Sequence, residues 1–350
     1  MDRRRSLRCR LFGTFASVAL LAGAALLTPP PSLAQPPVES GSNEESPPAV
    51  DPVHPTRAAI ARIETVSDRL LQVSIASPAM GRTVDVQVLL PAVHDTPRPT
   101  LYMLDGRSAA SDANNWAGKG GALRFFADKN VNVVFTLGGP ASYYTDWLRA
   151  DPKLGTNRWE TFLTRELPPL LDARFGGNGV NGLTGVSMGA EGAMMLAVRH
   201  PELYRAVGAH SGCYAMSSDF GQAQARAVVG TFGGDPDNMF GPSDGPQWAE
   251  HDVVNHAEAL RGKTIYLSAG SGIPGEHDGP ANPDARQAIM FGGPLEAGAN
   301  MCTTQLSDRL ARLGIPAVVD LRLTGTHSWP YWADELPRSW PTISAGLGIG

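Results

Sequence analysis

"GLTGVSMGAEGAMM", residues 182–195, sets a serine between two glycines, after an apolar run and before a helix-like stretch. Gly185-Val186-Ser187-Met188-Gly189 is a G-x-S-x-G pentapeptide. Alone it is a weak signal in a glycine-rich chain. Its neighbours decide the reading. The motif needs a strand before it, a helix after it, and the serine on the sharp turn between. "VNGLT" (180–184) and "AEGAMMLAVRH" (190–200) supply both. The turn is tight, so side chains two residues either side of the serine would collide with the adjoining strand and helix; glycine avoids this. The Met188 N–H would then point at an oxyanion from a helix N-terminus. Ser187 is therefore the expected nucleophile.

Working outward, strand and helix signals alternate. "RTVDVQVLLP" (82–91) alternates polar and apolar residues, as a half-exposed strand does. "PTLYMLDG" (99–106) and "VNVVFTLGG" (131–139) are apolar runs ending in glycine, like buried strands of a parallel sheet. "YRAVGAHSG" (204–212), "KTIYLSAGSG" (263–272) and "PAVVDLRL" (316–323) are further strand candidates. "RWETFLTRELPPLLDARF" (158–175) reads as a helix kinked at Pro168 and Pro169. "GANMCTTQLSDRLARLG" (298–314) reads as a helix closed by Gly314. The alternation predicts an α/β fold with a mainly parallel sheet.

A serine hydroxyl needs a base, and the base needs an orienting acid. In this fold the chain order is serine, acid, histidine. Of eight histidines, six follow Ser187: His200, at the end of the next helix-like stretch, and His210, His251, His256, His277 and His327. His327, in "LRLTGTHSWPYW" (321–332), follows the last strand candidate, where the fold places its base. The i, i+5 spacing of His251 and His256 is not that of a zinc helix, so no metal site is expected. For the acid, Glu276 and Asp278 follow the strand candidate "KTIYLSAG", and Glu296 starts a later helix. Chain order alone does not choose among them.

The rest of the chain bounds the setting. A net charge of −5 gives no basic face for nucleic acid. "MDRRRSLRCRLFG" is arginine-rich, "TFASVALLAGAALL" is apolar and uncharged, and "PPPSLAQ" offers a small-residue cleavage site. Residues 1–34 thus read as a signal peptide. The apolar run is shorter than the roughly 20 residues that a membrane span needs. Residues 35–65, rich in Pro, Ser and Glu at their start, read as a flexible tether. Residues 66–345 are left as the catalytic domain. Export would leave Cys213 and Cys302, an even pair compatible with a disulfide or with two buried thiols.

"LYMLDGRSAASDANNW" (101–116), "LGGPASYYTDW" (137–147), "RWETFLTRELPPLL" (158–171), "LTGVSMGAEGAMMLAVRHPELY" (183–204), "FGPSDGPQWAEHD" (240–252) and "GTHSWPYW" (325–332) occur in order across nearly the whole domain. On these stretches the chain resembles the exported trehalose mycolyltransferases, the antigen 85 group. The cysteine after "HSG" is similar to the corynebacterial branch. The resemblance implies an α/β-hydrolase fold without a large lid domain, and a monomer with no cofactor and no metal. It selects Glu296, in "PLEAGANMC", as the triad acid. It pairs the Arg107 N–H, in the "LDGR" loop, with that of Met188 as oxyanion donors. It places Asp105, Asn114 and Trp329 toward a sugar site. Two departures bear on acceptor choice: Ser108 stands where the family commonly has arginine, and Ser271 where it has asparagine. The expected reaction moves mycolyl groups from trehalose monomycolate to trehalose monomycolate or cell-wall arabinogalactan at the cell envelope. An apolar channel beside Ser187 is expected for the acyl chain. With a disulfide, Cys302, six residues beyond Glu296, would tie the acid's segment to Cys213. The alternatives are a secreted carboxylesterase using the same triad with water, and an inert wall-associated binding protein, which predicts a missing triad member.

Overall fold

The computed structural model describes residues 55–93 and 95–349. The expected signal peptide, and the expected tether up to residue 54, lie outside the described residues.

Nine strands form one sheet: β1 (Ala59–Thr65), β2 (Leu70–Ser77), β3 (Arg82–Leu89), β4 (Arg98–Leu104), β5 (Asn132–Thr136), β6 (Gly177–Val186), β7 (Tyr204–His210), β8 (Thr264–Ala269) and β9 (Val318–Leu321). Their spatial order is β1-β2-β3-β5-β4-β6-β7-β8-β9. The first three strands and the β3–β5 pair are antiparallel; from β5 across to β9 the pairing is parallel. This is the mainly parallel α/β sheet that the alternation predicts, in the α/β-hydrolase arrangement that the resemblance implies. β5 is buried at every residue, as an apolar strand covered on both faces must be.

Two apolar layers sandwich the sheet. On one face lie Trp159, Phe162, Leu167, the helix Met188–Arg199, and Leu306 and Leu310 of the helix Gly293–Leu313. On the other lie Trp116, Phe126, and Trp332, Leu336 and Ile343 of the C-terminal helix Trp329–Gly346. Met188–Arg199 is apolar nearly all round, and every residue from 188 to 198 is buried. No helix among the described residues is long and apolar enough to cross a membrane.

Three details differ from the sequence reading. Ala59–Thr65, expected within the tether, is strand β1, paired along β2. β2 itself gave no distinct signal. The segment 158–175 meets its prolines with a π-helical turn, Phe162–Glu166, after which Leu167–Phe175 starts afresh. Proline is tolerated in a first helical turn because its missing N–H has no partner to lose there.

Candidate active site

The loops after β4, β6, β7, β8 and β9 meet at the carboxyl edge of the sheet, where open α/β sheets hold their ligands. Ser187 directly follows β6 at φ 55° and ψ −126°, a conformation that side-chain-bearing residues rarely adopt. The elbow holds because both flanking positions are glycine. A Cβ at Gly185 would lie 2.1 Å from the Gly189 carbonyl oxygen; one at Gly189 would lie 2.4 Å from that of Asp105. The Ser187 N–H donates to His210 O on β7, fixing the turn to the sheet.

His327 Nε2 lies 2.9 Å from Ser187 Oγ. Its Nδ1 lies 2.7 Å from Glu296 Oε2. Of the three acid candidates, Glu296 alone reaches the imidazole. Asp278 instead accepts from Thr326 Oγ1 and Tyr331 OH, and Glu276 is exposed. Glu296 is fully buried, and its Oε1 accepts from Ser211 Oγ at 2.7 Å and the Gly270 N–H at 2.6 Å. Trp332 Nε1 donates to Ser211 Oγ, and the Trp332 ring meets the His327 ring edge to face at 4.8 Å. The His327 N–H donates to Gly292 O, so the loop is pinned on both sides of its imidazole.

Ser211, Gly270 and Trp332 were not singled out in the sequence. Ser211 follows directly from β7 with a left-handed φ of 58°, a conformation that no composition reveals. Gly270 acts through its backbone, which carries no side-chain signal.

The 105–107 loop lies against Ser187: a Cβ at Gly106 would be 3.8 Å from the Ser187 Cβ. Among the described residues, neither the Arg107 nor the Met188 N–H donates to another protein group. Ala141 N–H holds Arg107 O, and Met188 opens its helix, where the dipole favours negative charge.

Two of the three expected sugar-facing residues are turned inward. Asp105 is buried; its carboxylate accepts from the Gly106 N–H and from both the backbone and side chain of Asn115. Burial pushes its carboxyl above the usual range, against those hydrogen bonds. Asn114 is buried too, donating to Thr136 O and accepting from the Trp116 N–H. Both shape the loop from inside, because their polar atoms are spent on groups of the chain itself. Trp329 is half-buried, edge to face with Trp116 and Trp332. Ser108 is exposed, and Ser271 Oγ donates to Leu323 O.

Cys213 and Cys302 are joined in a disulfide. The Cys213 N–H donates to Glu191 Oε1, which also accepts from Gln224. Burial pushes the Glu191 carboxyl up to about 8. Burial also pushes His210 down to about 3, helped by the Arg322 charge, so this imidazole stays neutral between Ser268 and Thr184. Apolar surface flanks the site as exposed side chains: Ile289, Met290, Phe291 and Leu295 on either side of Gly292.

Metal-like spacing occurs among the described residues at Glu276, His277 and Asp334, where His277 already pairs with Asp334 at 2.6 Å. His251 and His256 are engaged locally, with Gln247 O and Ala249 O.

Residues 77–343 match the family described as "Putative esterase". The diacylglycerol acyltransferase/mycolyltransferase Ag85B of Mycobacterium avium is 33% identical over 282 residues, covering 78% of this chain and 82% of the relative. Ag85A of Mycobacterium tuberculosis is 32% identical over 282 residues, covering 78% of this chain and 80% of the relative. Among solved structures, Mycobacterium tuberculosis MPT51 (FbpC1) superposes with a TM-score of 0.67 at 26% identity, over 82% of this chain and 99% of that one. An S-formylglutathione hydrolase from Agrobacterium tumefaciens shares the fold at a TM-score of 0.60 and 18% identity, over 83% of this chain and all of the other.

Proposed function

Since the chain belongs to the esterase family, alongside the Ag85 acyltransferases, we propose that it transfers long-chain acyl groups, mycolyl groups first among them, through an acyl-serine at Ser187. The observation that carries this is the unbroken chain from Ser187 Oγ through His327 to buried Glu296, at 2.9 and 2.7 Å. His327 Nε2 takes the proton as Ser187 Oγ bonds to the ester carbonyl carbon. The Arg107 and Met188 N–H groups receive the oxyanion, typically the largest electrostatic contribution to such a step. The carbonyl–oxygen bond to the leaving sugar breaks, and His327 returns the proton to that sugar oxygen. An acceptor hydroxyl then attacks by the reverse sequence. Glu296 holds the imidazole tautomer and offsets its charge when protonated.

Trehalose monomycolate is the proposed donor, with trehalose, its monomycolate or cell-wall arabinogalactan as acceptor. Trp329, beside the histidine loop, offers a ring face to the sugar. Ile289, Met290, Phe291 and Leu295 offer apolar surface to the acyl chain. A disulfide is at home in an oxidising compartment, which supports export to the cell envelope.

The test incubates purified residues 35–350 with labelled trehalose and trehalose monomycolate, beside Ser187→Ala. Label in glycolipid from the wild type alone is the expected result. Free acid without labelled glycolipid would make the protein an esterase. Turnover by Ser187→Ala would remove the acyl-serine altogether.

A further inference from the structure

Arg322 follows β9, and its N–H donates to Ala269 O, extending the parallel ladder by one residue toward the site. Its side chain is only 11% exposed. Nη1 donates to Glu335 Oε1 at 3.1 Å and to Tyr331 O at 3.2 Å. The guanidinium lies 5.2 Å from the Tyr331 ring centroid. Nη2 is buried with no hydrogen-bond partner and lies 3.8 Å from Glu296 Oε1. Nε is likewise buried without a partner, and a buried cation with two unpartnered nitrogens is costly, so such an arrangement calls for an explanation. The guanidinium is clamped from the C-terminal helix and leans on the back of the carboxylate that holds His327.

We propose that Arg322 is a positioning residue that tunes the Ser187–His327–Glu296 relay, with Glu335 setting how much of its charge the relay feels. This rests on the triad reading above. The other charged or titratable groups facing the knot are few. Glu335 also accepts from Tyr266 OH on β8 and pairs with Arg338, which in turn faces Asp320 on β9. Asp278 is occupied by Thr326 and Tyr331, and His210 on β7 is neutral. Arg322 is thus the cation nearest Glu296 apart from a protonated His327. Its field opposes a proton on the imidazole and favours the neutral base that takes the proton from Ser187. Glu335 weakens that field.

Opposite shifts follow. Arg322→Met should move the acidic limb of the kcat/KM profile up by roughly half a unit to one unit, since losing a nearby cation favours the protonated imidazole. Glu335→Gln, which leaves the guanidinium uncompensated, should move it down by a smaller amount. Arg322→Lys, which keeps the charge, should bring the limb back toward wild type. KM for a short-chain ester should stay within about twofold in all three, because none of these groups meets the substrate. Should Arg322→Met fail to fold, Glu335→Gln and Arg322→Lys still decide the matter. A purely structural role lowers Tm and leaves the limb in place. An unmoved limb in folded Arg322→Met or Glu335→Gln, or shifts of the same sign for the two, overturns the inference. Ser187→Ala run in parallel separates the two failures: if it is inactive and the limbs do not move, only the role of Arg322 falls.

Discussion

Ser187 and its two glycines carry the most constrained backbone in the site. Gly189→Ala would drive a methyl group to 2.4 Å from the Asp105 carbonyl oxygen, which belongs to the loop that bears the Arg107 N–H. Neither β4 nor the helix can retreat without opening the core. The substitution should cost about 2 kcal/mol or more, and the surviving fold should lose acyl transfer through a displaced oxyanion loop. Thermal unfolding and turnover of Gly189→Ala check both effects. How much of this is legible in the sequence differs by residue. The juxtaposition of Ser187 and His327 is legible, since a motif and a chain order point to each. Glu296 is not separable from Glu276 and Asp278 by residue reading, because all three lie between serine and histidine. The path of the loops separates them, and the family resemblance anticipates that path. Asp105 and Asn114 show the converse: matching positions whose side chains serve the loop's interior. Arg322 gives no sequence signal, because a lone arginine after a strand is ordinarily a solvated charge.

The helix Gly293–Leu313 brings Glu296 to His327 in its first turn, and Cys302 fastens the same helix two turns later to the loop after β7. That loop also presents Ser211 to Glu296, so the disulfide and the Ser211 hydrogen bond clamp the acid from one side. The bridge closes a long stretch of chain, 89 residues apart in sequence. Replacing both cysteines by serine should lower stability by about 2–4 kcal/mol, measurable in urea. Turnover should fall further than global unfolding explains, because the acid's helix is loosened locally. Equal turnover in the variant and the wild type would leave the bridge with no part in holding the acid. At this scale the sequence reads well where strands are covered on both faces. β4, β5, β7 and β8 are buried along most of their length and carry apolar runs that announce them, as does the buried second half of β6. β1, "AIARIET", is exposed along most of its length and offers neither an apolar run nor clean alternation. The helix start before Gly298 is hidden for another reason: glycines and a proline open it, and tertiary packing overrides their weak propensity.

Across the whole molecule, buried carboxyls set opposing limits on stability with pH. Burial alone would raise Glu160, but His200 and Arg199 hold it down at about 2, below its ordinary 4.5. Its contribution is present above pH 4.5 and lost as pH falls toward 2. Glu191 is the reverse. With its carboxyl at about 8 in the folded state, its contribution is full below pH 4.5 and lost as pH rises toward 8. Glu191→Gln keeps a neutral acceptor for the Cys213 N–H. It should be more stable than wild type at pH 8, by on the order of 2 kcal/mol, and no more stable at pH 4. Melting curves at the two pH values decide it; equal gains at both would show packing rather than protonation. The other global limit is the antiparallel edge of the sheet. β1 shields β2, whose residues Leu70–Ser77 would otherwise present an unpaired ladder. An exposed strand edge of that length invites pairing with a second copy. A chain shortened to begin at residue 66 should therefore melt lower than one beginning at residue 55 and associate at high concentration, while its Ser187–His327–Glu296 geometry, on the opposite half of the sheet, remains intact. Light scattering and turnover per monomer at low concentration test the two halves of that statement separately. Full activity with aggregation places β1 as an edge guard. Lost activity at every concentration would mean that β1 supports the carboxyl edge of the sheet as well.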